Sequence, residues 1–243
     1  MRTCSTAVVV AAFLVIGHDA LGQQEPGSPV RVWSVSVAAG AGIGLSTRGV
    51  EAAMKAGGFD DLEGCMFWCT SPKSTPYSDH GGRSMQLTVR RRLGGTTHVR
   101  AMVARTVLGE THGYKETAPG GFLFLKQSVI TCAVLAGVGG RDDRGLYIAS
   151  GPSVFRVALE HTEMPGGPTV AAIRLGAIAA LGFVVPLDRR YFLDLQGRCC
   201  ITGPVKMGPV DVPGSYGSSR GTLPRTGVNF THGVLALGIA RRF

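Results

Sequence analysis

Ser46, His232 and the adjacent pair Glu160-His161 are the residue types from which a nucleophile, a general base and an orienting acid are assembled. Two acidic pairs, Asp60-Asp61 and Asp142-Asp143, are of the type that activates water between carboxylates. Cys65 and Cys69 bracket the apolar triplet Met66-Phe67-Trp68 and suit a disulfide in an oxidising compartment, or reduced thiols. A zinc site is disfavoured, because no second Cys or His pair stands at a recognisable spacing, and no metal is expected. Gly40-Ala41-Gly42-Ile43-Gly44 looks like a phosphate-binding loop, but the glycine spacing is wrong and no helix follows. A last group, Arg90, Arg156, Glu160, Arg174, Asp194, Gln196 and Arg198, lies inside strand-like runs, where charge needs a partner.

The elements that position these residues are strands. From Val32 the chain places Trp33, Val35, Val37, Ala39, Ala41, Ile43 and Leu45 on one side, with Ser34, Ser36, Ala38 and three glycines on the other. Period two over this length means strand. Six further runs have the same character: Ser84 to Leu93, Thr97 to Leu108, Phe122 to Val138, Leu146 to Glu160, Val170 to Val185 and Tyr191 to Ile201. An eighth, Val234 to Phe243, puts Leu235, Leu237, Ile239 and Phe243 on one side. Apolar residues on one face and small or polar ones on the other, over segments of about 10 residues, are the pattern of a barrel with lipid outside. Connections alternate between short (Gly94 to Thr96, Gly139 to Gly145, Pro186 to Arg190) and long (Ser46 to Arg83, Gly109 to Gly121, His161 to Thr169, Thr202 to Phe230). Short periplasmic turns and long outer loops produce that asymmetry, and an even strand count returns both ends to one side. The expected fold is all-β: an eight-stranded antiparallel up-and-down transmembrane barrel with a short helix in its first outer loop.

Face assignment then supplies the interior. In the seventh strand Asp194, Gln196 and Arg198 share a side opposite Tyr191, Leu193, Leu195 and Ile201. The same parity sends Gln86, Thr88, Arg90, Arg92, Arg100, Arg156, Glu160 and Arg174 inward. Eight strands enclose a lumen that side chains fill, so Arg198, Arg174 and Arg156 are expected to pair with Asp194 and Glu160 in a packed polar core. Lys126 and Gln127 leave the facing of the fourth strand open, and Arg91 and Arg105 fall on the lipid side. In the first outer loop, Thr47 to Ala56 reads as a helix with Val50, Ala53 and Met54 on one side and a Glu51–Lys55 pair, ending at Gly57-Gly58. It suits either a cap on the barrel mouth or a seat at the membrane interface.

Residues 1–22 combine Arg2, an apolar run from Ala7 to Ile16 and the triplet Ala20-Leu21-Gly22, as in a cleavable export signal, leaving a barrel over residues 23–243. The run is too short for a spanning helix, which needs about 20 apolar residues. Removing the signal takes one basic and one acidic residue, so the formal net charge stays at +9. The arginines are dispersed along strands and not clustered in one arm or helix, so no nucleic acid is expected. An anionic outer-membrane lipid, lipopolysaccharide, is the more economical partner. Cys65, Cys69, Cys132, Cys199 and Cys200 remain, an odd number that leaves at least one thiol unpaired within the chain. The sequon Asn229-Phe230-Thr231 is assigned no role.

On this export signal, the eight alternating strands, Gly151-Pro152-Ser153, Phe192-Leu193-Asp194-Leu195 and the ending Gly238-Ile239-Ala240-Arg241-Arg242-Phe243, the chain resembles the small bacterial outer-membrane β-barrels of the OmpA and OmpX type. The resemblance implies outer-membrane residence and insertion by the barrel-assembly machinery, which reads the last strand. Arg241 stands where that family usually carries an apolar residue. A peptidoglycan-tethering role is not expected. The implied function is non-enzymatic: structural support, adhesion or surface contact through the outer loops, by a monomer without cofactor. A narrow lumen argues against a general porin. Lipid A deacylase barrels would show a His-x-Ser pair on one strand face, which is missing here. Outer-membrane proteases would need ten strands with Asp-Asp and Asp-His pairs at the outer rim. Asp142-Asp143 falls in a periplasmic turn and Asp60-Asp61 lacks a His partner. A soluble lipocalin-like lipid binder would need the reverse assignment of faces.

Overall fold

The computed structural model describes residues 33–44, 48–59, 77–79, 81–114, 122–139, 144–161, 169–213 and 219–243. The proposed signal, Ser46, both acidic pairs and Cys65 and Cys69 lie outside the described residues. All eight expected strands are present, most of them a few residues longer than the alternation alone delimits. The first are β1 (Trp33–Gly44), β3 (Gly81–Gly94), β4 (Thr97–Tyr114) and β5 (Phe122–Gly139), with a short strand β2 (Tyr77–Asp79) between β1 and β3. They continue as β6 (Gly145–His161), β7 (Thr169–Pro186) and β8 (Tyr191–Ile201), and after an excursion the chain closes with β13 (His232–Arg242). Each long strand pairs antiparallel with its neighbours in the chain, and β1 pairs with β13 from Ser34↔Arg242 to Gly44↔His232, which completes the ring. A closed ring leaves no unpaired edge, the condition for a sheet to cross lipid.

The outward face is apolar around the ring. Val37, Met85, Ile148, Leu181, Leu237 and Ile239 are exposed on it, Met85 to 67% of its surface. Such a belt is stable only with lipid around it. It rules out the lipocalin-like alternative, whose exterior would be polar. At the end carrying the short turns, Arg91 lies 5.1 Å over the Trp33 ring and Arg241 lies 5.1 Å over Phe243. These pairs let two outward arginines snorkel toward water beside aromatic residues at the interface.

Two irregularities re-aim side chains. In β4 the register shifts between Val107 and Gly109, so the inward set changes from Thr106 and Leu108 to Thr111 and Gly113. The extra residue of a bulge has this effect. Across from it Gln127 is buried inward and Lys126 takes the outward side, which settles the facing of β5. In β6 the pairing with β5 lapses opposite Gly151 and Pro152 and resumes in the same register at Ala136↔Ser150, because proline has no N–H to donate.

The segment Thr202 to Phe230, expected to be an outer loop, is largely folded. It contains β9 (Pro204–Met207), β10 (Val210–Pro213), β11 (Ser219–Leu223) and β12 (Thr226–Asn229), paired as β9 with β12 and β10 with β11. Their alternation spans only four or five residues, too short to register as strands on a search for membrane-length segments. The helix α1 (Arg48–Ala56) packs beside them, burying Val50, Ala53 and Met54 as the helical spacing predicts. It therefore caps the mouth. One apolar cluster runs from the cap, through Val50, Met54, Met207, Val228 and Phe230, into the upper lumen at Leu108, Leu125, Phe155 and Ile178.

Candidate functional site

The interior below that cluster holds the chemistry. Asp194 faces inward from β8, and its carboxylate receives two donors from other strands. Tyr147 Oη of β6 donates to Oδ1 at 2.7 Å, and Arg100 Nη1 of β4 donates to Oδ2 at 3.2 Å. The Arg100 guanidinium also sits 3.6 Å over the Tyr147 ring, so one side chain makes an ion pair and a cation–π contact. The tyrosine reaches this position because its cross-strand partner is Gly182, where a Cβ would collide with the ring. His98 approaches the same ring edge-on, with centroids 5.8 Å apart, in space left by Gly137.

A second set lies one level up. Arg198 donates through Nη1 to Gln86 Oε1 and through Nη2 to Ser84 Oγ at 2.9 Å. Gln86 Nε2 donates to Gln196 Oε1 at 2.9 Å, and Ser84 shares a 2.9 Å hydrogen bond with Thr106 Oγ1. Side chains of four strands, β3, β4, β6 and β8, meet in these two sets. Among the described residues three buried guanidiniums, of Arg90, Arg100 and Arg198, face one buried carboxylate, Asp194. The interior is thus net positive, an arrangement suited to holding water or a small anion.

The expected pairings are redistributed. Arg198 meets amides and hydroxyls instead of a carboxylate, and Asp194 is served by Arg100 and Tyr147. Arg156 and Glu160 are corrected: both lie on the outward side of β6, Arg156 exposed and Glu160 with Oε1 accepting from Ser128 Oγ at 2.9 Å. The inward side of upper β6 carries Phe155, Val157 and Leu159, because that part of the lumen is an apolar core under the cap. A rule that sends charge inward fails there. Arg174 has inward parity, beside Phe155 in register, but is exposed, because β8 pairs with β7 only from Ala177 onward and leaves the end of β7 without that neighbour. Alternation alone does not mark out Tyr147, His98, Ser84 and Thr106 from other inward positions. The sequence signal for Tyr147 is a large polar aromatic opposite a glycine, readable only once register is known.

Ser46 lies outside the described residues, and the other candidate catalytic residues do not form a triad among the described residues. His232 is fully buried, its Nδ1 donating to the Phe230 carbonyl at 2.8 Å, and its ring lies edge-on to Phe155. His161 points inward, whereas Glu160 points outward. Leu235, Leu237, Ile239 and Phe243 face outward and are exposed. A concavity of about 880 Å³ on the outer wall, among Leu146, Ile148, Leu181, Phe183 and Leu235, belongs to the lipid belt. In the turn between β7 and β8, Asp188 Oδ1 accepts from the Arg190 and Tyr191 N–H groups, each at 2.6 Å, which holds its carboxyl below the usual range.

No protein-family model matches the sequence, and no curated protein matches it. Solved structures match in fold. The outer-membrane protein OprG from Pseudomonas aeruginosa is similar with a TM-score of 0.52 at 12% identity, covering 89% of this chain and 98% of that one. Neisserial surface protein A matches at 0.44 with 14% identity, covering 87% and 97%. The outer-membrane protease OmpT from Escherichia coli matches at 0.40 with 10% identity, covering 91% and 99%. The chain has the fold of the small bacterial outer-membrane β-barrels.

Proposed function

We propose that this protein is a non-enzymatic integral barrel of the bacterial outer membrane that acts through its extracellular surface, in structural support, adhesion or ligand contact. The observation that carries this reading is the filling of the lumen. Its lower part is occupied by hydrogen-bonded polar side chains and its upper part by an apolar core continuous with the cap. A filled interior supports neither a general porin nor a reaction chamber, whereas the cap of α1, β9 to β12 and their connections stands toward the outside. On the same reading the protein is a monomer without cofactor, bound to outer-membrane lipid and lipopolysaccharide and to no nucleic acid. The exposed row Leu235, Leu237, Ile239 and Phe243 serves the barrel-assembly machinery, and Arg90, Asp194, Gln196 and Arg198 act as the packing of the lumen.

Outer-membrane fractionation followed by cold SDS gels, with planar-bilayer recording of the same protein, tests this reading. The expected result is a band in the outer-membrane fraction that changes mobility on boiling and a protein that gives no porin-sized conductance. A soluble protein with no shift, or large open-channel currents, would overturn it.

A further inference from the structure

Three outward arginines of the extracellular half lie close together. Arg105 of β4 and Arg156 of β6 flank Ile130 of β5 in direct register, Arg105↔Ile130 and Ile130↔Arg156. Arg83 of β3 lies two residues beyond Met85, the register partner of Arg105, on the same face. All three are exposed, and none makes an ion pair or hydrogen bond with a described residue. Their nearest outward neighbours, Met85, Val103, Val107, Val154 and Ile173, carry no acid. The outward acids of this wall, Glu110 and Glu160, lie farther out, on either side of Lys126 in register.

Height decides what surrounds these guanidiniums. A tilted strand climbs ~2.5 Å per residue, and the apolar band of such barrels is about 25 Å tall. Arg105 is eight residues beyond Thr97, the start of β4; Arg156 is eleven beyond Gly145, and Arg83 eleven before Gly94. That puts them ~20–28 Å above the periplasmic turns, where acyl chains give way to headgroups. An arginine facing lipid is costly in mid-bilayer and tolerated at the interface, and its planar fork matches phosphate. We propose that Arg105 and Arg156, with Arg83 beside them, bind the phosphate of a phosphorylated lipid in the outer leaflet, with Ile130 and Met85 against its acyl chains. This rests on the membrane-barrel reading and adds to it a defined site on one wall.

The test uses the full mature protein folded in a phosphate-free maltoside detergent and reads the temperature at which the folded gel band converts to the unfolded one. Diphosphoryl lipid A, the same lipid dephosphorylated, and inorganic phosphate are added separately. Diphosphoryl lipid A near 100 times its Kd is expected to raise the midpoint on the order of 5 °C, with the other two giving no rise. The Arg105→Gln/Arg156→Gln variant is expected to lose that rise, and Arg189→Gln, in a periplasmic turn, to keep it. Should the double variant not fold, Arg156→Gln alone is expected to lose most of the rise. The proposal is overturned by no rise in the parent, by an equal rise with dephosphorylated lipid, by an equal rise with inorganic phosphate, which would make it a free-anion site, or by an undiminished rise in the variants. Absence of any folded band would instead remove the barrel reading itself.

Discussion

Below the level of Ser84 and Thr106 arginines, amides and hydroxyls cross-link strands between Met102, Leu135 and the small apolar cluster of Tyr147, Val184, Phe192 and Ala240, whereas above it the packing is dominated by Leu108, Leu125, Phe155 and Ile178 sealed by the cap. Both halves face the same problem, a tube of lipid-facing strands whose centre must be filled. The periplasmic half has no folded cap among the described residues and is closed by the side chains of Tyr147, Val184, Phe192 and Ala240 beside its polar network. The extracellular half is roofed by α1 and two short ladders, and a roofed volume favours apolar filling. The difference shows that an interior face does not have one chemistry along a strand; what closes the lumen sets it level by level.

The largest effect is expected from Asp194→Ala. It would leave Arg100 buried without its carboxylate and Tyr147 without its acceptor, at a cost of about 3–5 kcal/mol. Urea titration of the refolded protein, read on cold gels, measures it, and a loss below about 1 kcal/mol would mean that the lower half is held by something other than this pair. Phe155→Ala tests the other half. Removing a fully buried ring from the capped core should cost about 3–4 kcal/mol by cavity formation. Its effect should add to that of Asp194→Ala if the halves are independent, and a double variant far from additive would join them into one unit. Tyr147→Phe removes one donor to a carboxylate while keeping the ring under Arg100, and about 2 kcal/mol is expected in the same titration.

The smallest effect belongs to the rim. Asp188 has its folded pKa depressed by two backbone N–H donors, so its contribution is present above the unfolded carboxylate value, about 3.9, and is lost as pH falls through the folded value. Stability of Asp188→Asn should therefore fall less steeply than that of the parent below about pH 4. Parallel acid titrations of the two proteins would contradict the capping role of this carboxylate.

Much of the fold is legible in the chain because lipid constrains every strand locally. Val37, Ala39, Ala41 and Ile43 must each face outward, whatever the other strands do, and this repeats in all eight. The short turns and the burial of Gln86, Arg90, Asp194 and Arg198 follow the same alternation. Where the signal failed, the constraint was not local. Arg156 and Glu160 looked internal because charge was assumed to avoid lipid, yet the neighbouring Phe155, Val157 and Leu159 claim the interior of a capped level. The ladders of β9 to β12 are too short to carry a periodic signature.

By itself, then, the sequence determined the strand count, the even parity that makes the first and last strands neighbours, and the apolar outer wall, since period two and the cost of polar backbone in lipid act on each segment alone. Only the tertiary structure decided that Asp194 is held by Arg100 and Tyr147, that Arg198 is held by Gln86 and Ser84, and that Arg105 and Arg156 share one outer wall. Those partnerships join residues far apart in the chain, and shear between strands, which no single strand encodes, fixes which of them stand at the same height.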